Sequence, residues 1–324
     1  MMKTAIRCTA AYLPMKEITN DDLSRFLETN DEWISSRTGI RRRHVSTGED
    51  TSDMAFAVCE KLLAQSGLSP ADIDLIIVAT VTADYATPSV ACMVQGRLGA
   101  VNAFAFDVNA ACTGFLYAMS VADKYISAGT CRNALVVGAE TLSKQVDWTD
   151  RSTCVLFGDG AGGVLLQSTE SGGILGESLR ADGKLFHAIR GGHRPVASPY
   201  AAEEAKEGFI QMDGRALFDF TTREVPKNIR ELLEKTGTDA ADVKLFLLHQ
   251  ANERIVSAIA KKLGIAYDRF AINIDRRGNT SSASVPILLS ELVESGALTR
   301  GSGDTIVLAA FGGGVTWGSM LVRI

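Results

Sequence analysis

The stretch Phe104-Ala-Phe-Asp-Val-Asn-Ala-Ala-Cys-Thr-Gly-Phe-Leu-Tyr-Ala-Met-Ser120 decides the predicted fold. Its apolar run at 104–108 predicts a buried strand, and the helical spacing of Phe115 and Met119 predicts that a helix follows. A tight turn of small residues lies between them, with Cys112 at the bend. Unpaired backbone N–H groups and the helix dipole favour a thiolate there. Cys112 is therefore a candidate nucleophile, although a lone cysteine is also a common packing residue.

Two further stretches place polar side chains at the ends of predicted elements. The apolar strand at 245–248 ends at His249 and turns into a helix, and a loop of small residues carries Asn279 into another helix. A thiolate, an imidazole and a carboxamide are the groups that covalent thioester chemistry requires. None of the three residues is specific alone, but together they predict an acyl-transferring site.

Length and composition describe an ordinary globular protein. The chain has 324 residues, 46% of them hydrophobic, so it can bury a sizeable core as two domains or one large duplicated one. Its formal net charge of −5 argues against non-specific nucleic-acid binding. The cysteines are scattered, with no Cys-x-x-Cys pair and no histidine at metal-ligand spacing, so we expect no metal site. No apolar stretch reaches the length of a membrane span, and we expect a cytoplasmic protein.

Apolar runs alternate with helical patterns along the first half of the chain. Residues 75–81 form an unbroken apolar run, which is typical of a central strand covered by helices on both faces. Around this run we predict helices at 51–66, 89–98 and 113–128 and strands at 104–108, 134–139 and 163–167. The alternation predicts an α/β fold with a mixed sheet and helical layers.

The second half of the chain repeats features of the first. Residues 67–80 align without gaps with residues 237–250, and a glycine turn before a strand occurs in both halves. Two matches in the same order favour an internal duplication, in which Cys112 corresponds to Ser282.

We accordingly predict an N-terminal half at 1–170 that carries the nucleophile and a C-terminal half at 171–324 that carries the histidine and the asparagine. Residues 170–210 have no counterpart in the first half and are rich in Gly, Glu and Ala. They are predicted to form a long insertion over the surface.

A helix start at Asn30 is followed by a cluster of arginines. Asn30 or Asp31 is expected to cap a helix whose first turn holds Trp33, and Arg37 and residues 41–43 follow. Guanidinium groups match phosphate geometry, and the indole face of Trp33 suits a nucleobase, so a site for a phosphate-bearing ligand is one hypothesis. A solvated loop is the alternative.

Short motifs occur along the whole chain: Asn30-Asp-Glu-Trp-Ile34, Arg37-Thr-Gly-Ile-Arg41, Ala110-Ala-Cys112, Thr149-Asp-Arg151, Phe157-Gly-Asp-Gly-Ala-Gly162, His249-Gln-Ala-Asn252, Gly278-Asn-Thr-Ser281, Phe311-Gly-Gly-Gly314 and Thr316-Trp-Gly318. Together they resemble the β-ketoacyl-acyl-carrier-protein synthase III enzymes of the thiolase superfamily, which initiate bacterial fatty-acid synthesis. The resemblance implies a duplicated, layered α/β/α/β/α fold. It also implies a decarboxylating Claisen condensation of an acyl-CoA primer with malonyl-acyl carrier protein, without a metal or organic cofactor.

The resemblance also implies catalytic roles. Cys112 would take the acyl group from acyl-CoA. His249 and Asn279 would hydrogen-bond the thioester carbonyl of malonyl-acyl carrier protein while carbon dioxide leaves. The backbone N–H groups of Cys112 and Gly313 would hold the oxyanion of the tetrahedral intermediate.

Binding residues follow from the same resemblance. The residues implied to contact coenzyme A are Trp33 and Arg151, which would sandwich the adenine, with Thr29 and Arg37 nearby, and Gly214, Phe218, Ala251 and Asn252, which would line the pantetheine tunnel. The acidic carrier protein would meet Arg254, Lys261 and Lys262, although a solvated helix face is the ordinary interpretation of such charges. Asp219 departs from the basic residue of some relatives. Thr87 would lie at the acyl pocket of a homodimer partner, where several relatives have phenylalanine.

Three alternatives remain at this point. A related Cys-His-Asn acyltransferase or condensing enzyme of secondary metabolism keeps the same residues. A Cys-His-Asn hydrolase would release a free acid, but its asparagine orients the histidine and its fold is not duplicated. An inactive scaffold would not be acylated at all.

Overall fold

The computed structural model of the chain describes residues 2–170, 172–193, 195–196, 198–200 and 208–324. Its strands are β1 (Lys3–Tyr12), β2 (Lys16–Thr19), β3 (Arg42–Val45), β4 (Leu75–Ala79), β5 (Phe104–Val108), β6 (Asn133–Glu140), β7 (Gly160–Thr169), β8 (Gly173–Ala181), β9 (Ile189–Arg190), β10 (Gln211–Met212), β11 (Val243–Leu248), β12 (Thr305–Gly312) and β13 (Thr316–Arg323). Its helices are α1 (Asn20–Leu23), α2 (Asp31–Thr38), α3 (Thr51–Ser66), α4 (Val90–Leu98), α5 (Gly114–Ser127), α6 (Gly214–Thr236), α7 (Glu253–Leu263), α8 (Ile274–Arg277) and α9 (Ser284–Glu294). The predicted α/β class is confirmed.

The fold contains two main sheets, and four strands follow a corresponding order in each. The first has the order β1-β7-β6-β4-β5, and the second has the order β8-β13-β12-β11. In the first sheet β4 is parallel to β5 and β6, while β7 is antiparallel to β1 and β6. In the second sheet β11 is parallel to β12, while β13 is antiparallel to β8 and β12. Strands β8, β13, β12 and β11 therefore correspond to β1, β7, β6 and β4.

Helices α5 and α9 lie between the two sheets. Their apolar faces pack with alternate residues of both sheets, including Leu75 and Ile77 of β4 and Ile306 and Leu308 of β12. The intervening residues of the first sheet face α3 and α4 on its outer side, and those of the second sheet face α6 and α7. This alternation follows from the two-residue period of a strand. The result is five layers in the order α/β/α/β/α.

The strand that opens the fold-defining stretch is not buried as predicted. Strand β5 is paired with β4 and is an edge of the first sheet. Phe104 is 41% exposed, and its ring packs edge-on against Tyr125 with centroids 5.2 Å apart. An apolar run alone does not distinguish a central strand from an apolar edge strand, and this is why the prediction was wrong.

The prediction that residues 170–210 form one surface insertion is wrong for part of this range. Residues Gly173–Ala181 form β8, which is paired with β13 and belongs to the second sheet. Strand β9 pairs with β10 beyond it. Residues 171, 194, 197 and 201–207, which belong to the same predicted insertion, lie outside the described residues.

Two short 3-10 turns occupy equivalent places in the two sheets' crossover connections. Ala111–Thr113 precedes α5, and Ser281–Ala283 precedes α9, 170 positions later in the chain. Ala111 and Ser281 begin these turns with φ of 47° and 48°. Such left-handed conformations are uncommon in residues other than glycine and occur often at functional sites.

Candidate active site

Cys112 lies in the 3-10 turn that precedes α5 and is 7% exposed. Burial raises the pKa of its thiol to about 12, while a hydrogen bond with the Ser281 side chain acts in the lowering direction. The resting group is therefore a thiol. This corrects the expectation that the helix terminus alone would favour a thiolate, because the loss of hydration outweighs the field of a helix end.

The turn of Cys112 is held in place by the hairpin of β12 and β13. A Cβ atom on Gly312 would lie 2.7 Å from the backbone nitrogen of Cys112, so the two backbones meet where only glycine leaves room. The Thr316 hydroxyl donates to the carbonyl of Ala110 at 3.0 Å, and the Thr113 hydroxyl donates to the carbonyl of Thr316 at 3.2 Å. Gly313 follows in the same hairpin, next to the side chain of Ala111.

His249 follows the last residue of β11 and is almost completely buried. Its backbone N–H donates to the carbonyl of Ala309 at 2.8 Å, which extends the pairing of β11 with β12. Its ring packs edge-on against Phe311, and neither ring nitrogen has a hydrogen-bond partner among the described residues. Burial lowers the pKa of His249 to about 3, so the imidazole is neutral. Buried polar atoms without partners need an explanation, and a bound ligand would supply one.

Asn279 is fixed by both its backbone and its side chain. Its N–H donates to the carbonyl of Leu156 at 2.8 Å, and its own carbonyl accepts from the N–H of Gly158 at 3.0 Å. The side-chain Oδ1 accepts from the N–H of Ser281 at 2.9 Å. This bond orients the carboxamide with its Nδ2 donor opposite to Ser281.

The end of β12 adjoins both His249 and Cys112. Phe311 packs on His249, and the next residue, Gly312, packs on Cys112. Ser281 bonds to Asn279 through its N–H and lines the cavity beside Cys112. Strand ends and turns from both sheets thus contribute to one constellation.

A cavity of about 850 Å³ adjoins Cys112. Its walls include Ser281, Gly313 and the segment 84–86, but neither His249 nor Asn279. Thr87, the predicted acyl-pocket residue, is exposed and does not line this cavity within the single chain.

Trp33 lies on α2, which Asn30 caps by accepting from the N–H of Trp33 at 2.7 Å. The guanidinium carbons of Arg37 and Arg151 lie 4.7 Å and 5.1 Å from the centroid of the Trp33 ring. Arg151 is thus already stacked on the indole, and the separation leaves no space for a further aromatic ring between them. The hydroxyl oxygen of Thr29, close to this helix in sequence, is buried and has no partner among the described residues.

The remaining predicted binding residues lie at the beginnings of α6 and α7. Gly214 is the first residue of α6, and Phe218 lies exposed in its second turn. Asn252, which follows Ala251, caps α7 and donates to the carbonyl of Arg37 at 2.9 Å. The α7 and α2 helices are thereby joined.

Arg254, Lys261 and Lys262 all lie exposed on α7. Arg254 also donates to the carbonyl of Ser36 at 2.7 Å, so one of the guanidinium donors is already used in a hydrogen bond within the chain. Asp219 is exposed on α6.

Sequence reasoning missed Glu140, a completely buried carboxyl group at the end of β6. The signal was present, because a lone acidic residue ends the otherwise mainly apolar strand at 133–140, and a buried carboxyl group must be hydrogen-bonded. The hydroxyl groups of Ser281 and Ser282 both donate to its Oε1 atom, at 3.1 Å and 2.8 Å.

Family models match two parts of the chain. The model for 3-oxoacyl-[acyl-carrier-protein] synthase III matches residues 106–183, and the model for its C-terminal part matches residues 233–324. Among curated proteins, the chain is 53% identical to β-ketoacyl-[acyl-carrier-protein] synthase III of Streptococcus suis over 315 residues, which cover 97% of each chain. It is 50% identical to the Streptococcus uberis protein of the same name over 324 residues and 100% of both chains.

Solved structures agree with these relatives. The 3-oxoacyl-[acyl-carrier-protein] synthase III of Aquifex aeolicus superposes with a TM-score of 0.91 at 43% identity and covers 100% of both chains. The priming β-ketosynthase of the R1128 polyketide pathway superposes with a TM-score of 0.92 at 32% identity and covers 99% of this chain and 96% of its own. The predicted thiolase-like fold is confirmed. The chain therefore belongs to the 3-oxoacyl-[acyl-carrier-protein] synthase III family.

Proposed function

We propose that the protein condenses an acyl-CoA primer with malonyl-acyl carrier protein, with release of carbon dioxide and coenzyme A, and so initiates fatty-acid synthesis. The observation that carries this proposal is the placement of Cys112 and His249 at the end of β12, with Asn279 bonded to Ser281 on the cavity wall, in a chain of this family. The protein is an acyltransferase, as its relatives are.

In the first step the sulfur of Cys112 attacks the thioester carbonyl of acyl-CoA. A bond forms between the sulfur and the acyl carbon, and coenzyme A leaves. The tetrahedral intermediate carries an oxyanion, which the backbone N–H groups of Cys112 and Gly313 would hold. The close approach of Gly312 to Cys112 supports this role, because it brings the hairpin backbone to the nucleophile.

In the second step malonyl-acyl carrier protein loses carbon dioxide. Negative charge develops on its thioester oxygen, and His249 and Asn279 would each donate a hydrogen bond to that oxygen. The lowered pKa of His249 supports the role of a neutral donor, and the bond from Ser281 to Oδ1 of Asn279 leaves Nδ2 as its donating end. Each such donor typically contributes about 2.7–4 kcal/mol to the transition state. The resulting carbanion attacks the acyl group on Cys112 and releases the sulfur.

Coenzyme A would bind where α2 meets α7. The adenine would lie against Trp33, which requires the Arg151 side chain to move off the indole and stack on the other face of the base. Arg37 would contact a phosphate, and the beginnings of α6 and α7 would flank the pantetheine arm. The exposed Arg254, Lys261 and Lys262 would receive the acidic carrier protein.

The apolar edge strand β5 supports a homodimer. Val101, Phe104 and Tyr125 present an exposed apolar surface beside its unpaired edge, and an apolar edge of this kind is normally covered. Thr87, exposed in one chain, would complete the acyl pocket of the partner.

We further infer a division of the chain into duplicated halves at 1–170 and 171–324. The strands of the first sheet end at Thr169, and those of the second begin at Gly173.

Among the described residues no helix is long and apolar enough to cross a membrane. We propose a cytoplasmic enzyme that uses no metal or organic cofactor.

The alternative of a condensing enzyme in secondary metabolism is less well supported. The R1128 priming β-ketosynthase is 32% identical to the chain, whereas the streptococcal β-ketoacyl synthases III reach 53%.

The test is a condensation assay with acetyl-, isobutyryl- and longer acyl-CoA primers and malonyl-acyl carrier protein, read as the mass of the carrier protein. We expect a β-ketoacyl group on the carrier protein with at least one primer. Formation of free acid without a β-ketoacyl product would favour a hydrolase. A Thr87→Phe variant that shifts the preference towards the shortest primer would support the placement of Thr87 at the acyl pocket.

A further inference from the structure

We propose that Glu140 accepts the proton of the Cys112 thiol through the hydroxyl group of Ser281 during acylation, and returns it when the sulfur leaves at condensation. The inference rests on the proposed function and assigns its first step a proton acceptor. Ser281 lines the cavity beside the nucleophile, and Glu140 is a positioning residue that acts through Ser281.

The path consists of two steps. The Ser281 side chain and the Cys112 thiol line the same cavity, and hydrogen bonding from Ser281 lowers the pKa of the thiol against the larger effect of burial. The Ser281 hydroxyl donates to Oε1 of Glu140 at 3.1 Å. A hydroxyl group that donates to one neighbour can accept from another, so Ser281 can accept from the thiol while it donates to the carboxylate.

The position of Ser281 is held independently of its hydroxyl group. Its φ of 48° is left-handed, which costs energy in a residue other than glycine, and its N–H donates to Asn279. The surrounding structure therefore fixes the backbone from which the hydroxyl donates to the carboxylate.

Glu140 is surrounded by hydrogen-bond donors. Its Oε2 atom accepts from the hydroxyl groups of Thr80 and Thr82 and from the N–H of Val81, and its Oε1 atom accepts from Ser281 and Ser282. No salt bridge to this carboxylate forms among the described residues. Burial raises its pKa, so it is a stronger base than an exposed carboxylate.

His249 is a poorer acceptor for this proton. Burial lowers its pKa to about 3, and neither of its ring nitrogens is bonded to Cys112 or to another described residue. Besides burial, the charge of Glu140 raises the pKa of the Cys112 thiol, and the carboxylate would lose that charge on taking the proton. Glu140 therefore acts as the proton acceptor in acyl transfer, and His249 acts as a hydrogen-bond donor in decarboxylation.

The proton balance of the cycle closes. During acylation the S–H bond of Cys112 breaks, the proton moves to Ser281, and the original hydroxyl proton of Ser281 moves to Glu140. The hydroxyl of Ser281 then points at the sulfur. A sulfur–carbon bond to the acyl group forms, the bond between the acyl group and coenzyme A breaks, and coenzyme A takes a proton from solvent. At condensation the sulfur leaves as a thiolate and regains its proton along the same path.

Two neighbouring serines give a matched test. Ser281→Ala and Ser282→Ala each remove one hydroxyl group from Oε1 of Glu140, but of the two serines only Ser281 lines the cavity beside Cys112 and acts on the pKa of its thiol. The measurement is the rate of Cys112 alkylation by iodoacetamide between pH 6 and 10. Rates are read by mass spectrometry of the Cys112 peptide because Cys92 is exposed and also reacts.

We expect Ser281→Ala to slow alkylation at pH 7 by roughly tenfold or more and to move the rate profile towards higher pH, as loss of general-base assistance does. Ser282→Ala is expected to stay within about threefold of the wild type, on the same scale. Equal rates for the two variants, or an unchanged pH profile in Ser281→Ala, would overturn the proposal.

Glu140→Gln and Glu140→Asp complete the test. We expect the amide to reproduce the Ser281→Ala profile and the shorter carboxylate to restore part of the rate. Decarboxylation of malonyl-acyl carrier protein, measured in every variant, should persist, because the N–H bond from Ser281 to Asn279 remains. Loss of decarboxylation with normal alkylation would count against the proposed function and not against the proton path. Loss of both in Ser281→Ala would indicate a structural role and overturn the proposal.

Discussion

The two 3-10 turns at Ala111–Thr113 and Ser281–Ala283 have the same backbone form and opposite surroundings. Each packs on the end of a central strand of the other sheet. The first meets Gly312, the last residue of β12, and the second meets Gly138 and Glu140 at the end of β6. One turn presents Cys112 to a cavity, and the other surrounds a buried carboxyl group with serine hydroxyls.

The difference indicates how the proposed active site draws on both halves of the duplicated fold. Equivalent positions at the strand ends hold glycine in β12 and glutamate in β6. The glycine admits the backbone of Cys112, and the glutamate bonds to Ser281 beside the same sulfur. The two halves thus hold each other's functional turn, so neither half is expected to act alone.

The largest expected effect separates the two half-reactions. Cys112→Ala should abolish acylation by acyl-CoA while malonyl-acyl carrier protein is still decarboxylated. Asn279→Ala should lower decarboxylation by about 10²–10³-fold, as the loss of one oxyanion donor does, and still allow acylation. Mass spectrometry of the protein and release of labelled carbon dioxide measure the two steps. If either variant lost both half-reactions while folded, the division of roles between the halves would be wrong.

The glycines on the two strands test the packing of the turns. A Cβ atom at position 312 would lie 2.8 Å from the Cβ of Cys112, and one at position 138 would lie 2.4 Å from the carbonyl oxygen of Ser282. Gly312→Ala and Gly138→Ala should each lower the free energy of unfolding by about 1–3 kcal/mol, the usual cost of overpacking. Denaturant titration measures this cost.

Acylation distinguishes the two glycine variants. In the absence of denaturant, and with both variants folded, Gly312→Ala should be acylated far more slowly than Gly138→Ala. Only the first substitution displaces Cys112. Equal rates would mean that the contact between β12 and the nucleophile turn does not position the sulfur.

Acid stability depends on His249. The pKa of His249 is about 3 in the folded chain and about 6.5 in its ordinary state. Below pH 6.5 the unfolded chain therefore binds more protons, and the free energy of unfolding decreases as the pH is lowered. Between pH 6.5 and pH 5 this group should remove about 2 kcal/mol from the free energy of unfolding, at 1.36 kcal/mol per pH unit. The loss should be reduced by that amount in His249→Asn. Parallel curves for the two proteins would show that folding does not lower the pKa of His249.

The smallest expected effect concerns α7, which only the second half contributes. Lys261→Glu should raise the KM for malonyl-acyl carrier protein several-fold and reduce its dependence on salt, as changes of exposed charges at an interface do. Its effect on the KM for acyl-CoA should be small. Lys61→Glu on α3, a helix on the outer side of the other sheet, is the matched control. Equal effects of the two variants would remove α7 as the docking surface.

Local patterns predicted the parts of the fold that depend on local physics. Helix α3 was predicted to start near Thr51 and to run to about Ser66, and it occupies Thr51–Ser66 with Asp50 as its cap. Asn30, one of the two expected caps, caps α2. The alignment of the two halves with an offset of 170 anticipated the paired turns, including the relation of Cys112 to Ser282.

The features that were missed depend on residues distant in sequence. The exposure of Phe104 follows from the position of β5 at a sheet edge, which an apolar run does not reveal. The raised pKa of Cys112 follows from burial by both halves, which the helix-end argument did not include. The role proposed for Glu140 depends on Ser281, which lies in the other half of the chain and donates a hydrogen bond to it.

The most direct test of the account is the intact mass of the protein after incubation with acyl-CoA and then with malonyl-acyl carrier protein. We predict that the wild type gains one acyl mass, that Cys112→Ala gains none, and that malonyl-acyl carrier protein removes the acyl group as a β-ketoacyl product. Acylation of Cys112→Ala, or an acyl group on the wild type that malonyl-acyl carrier protein leaves in place, would contradict it.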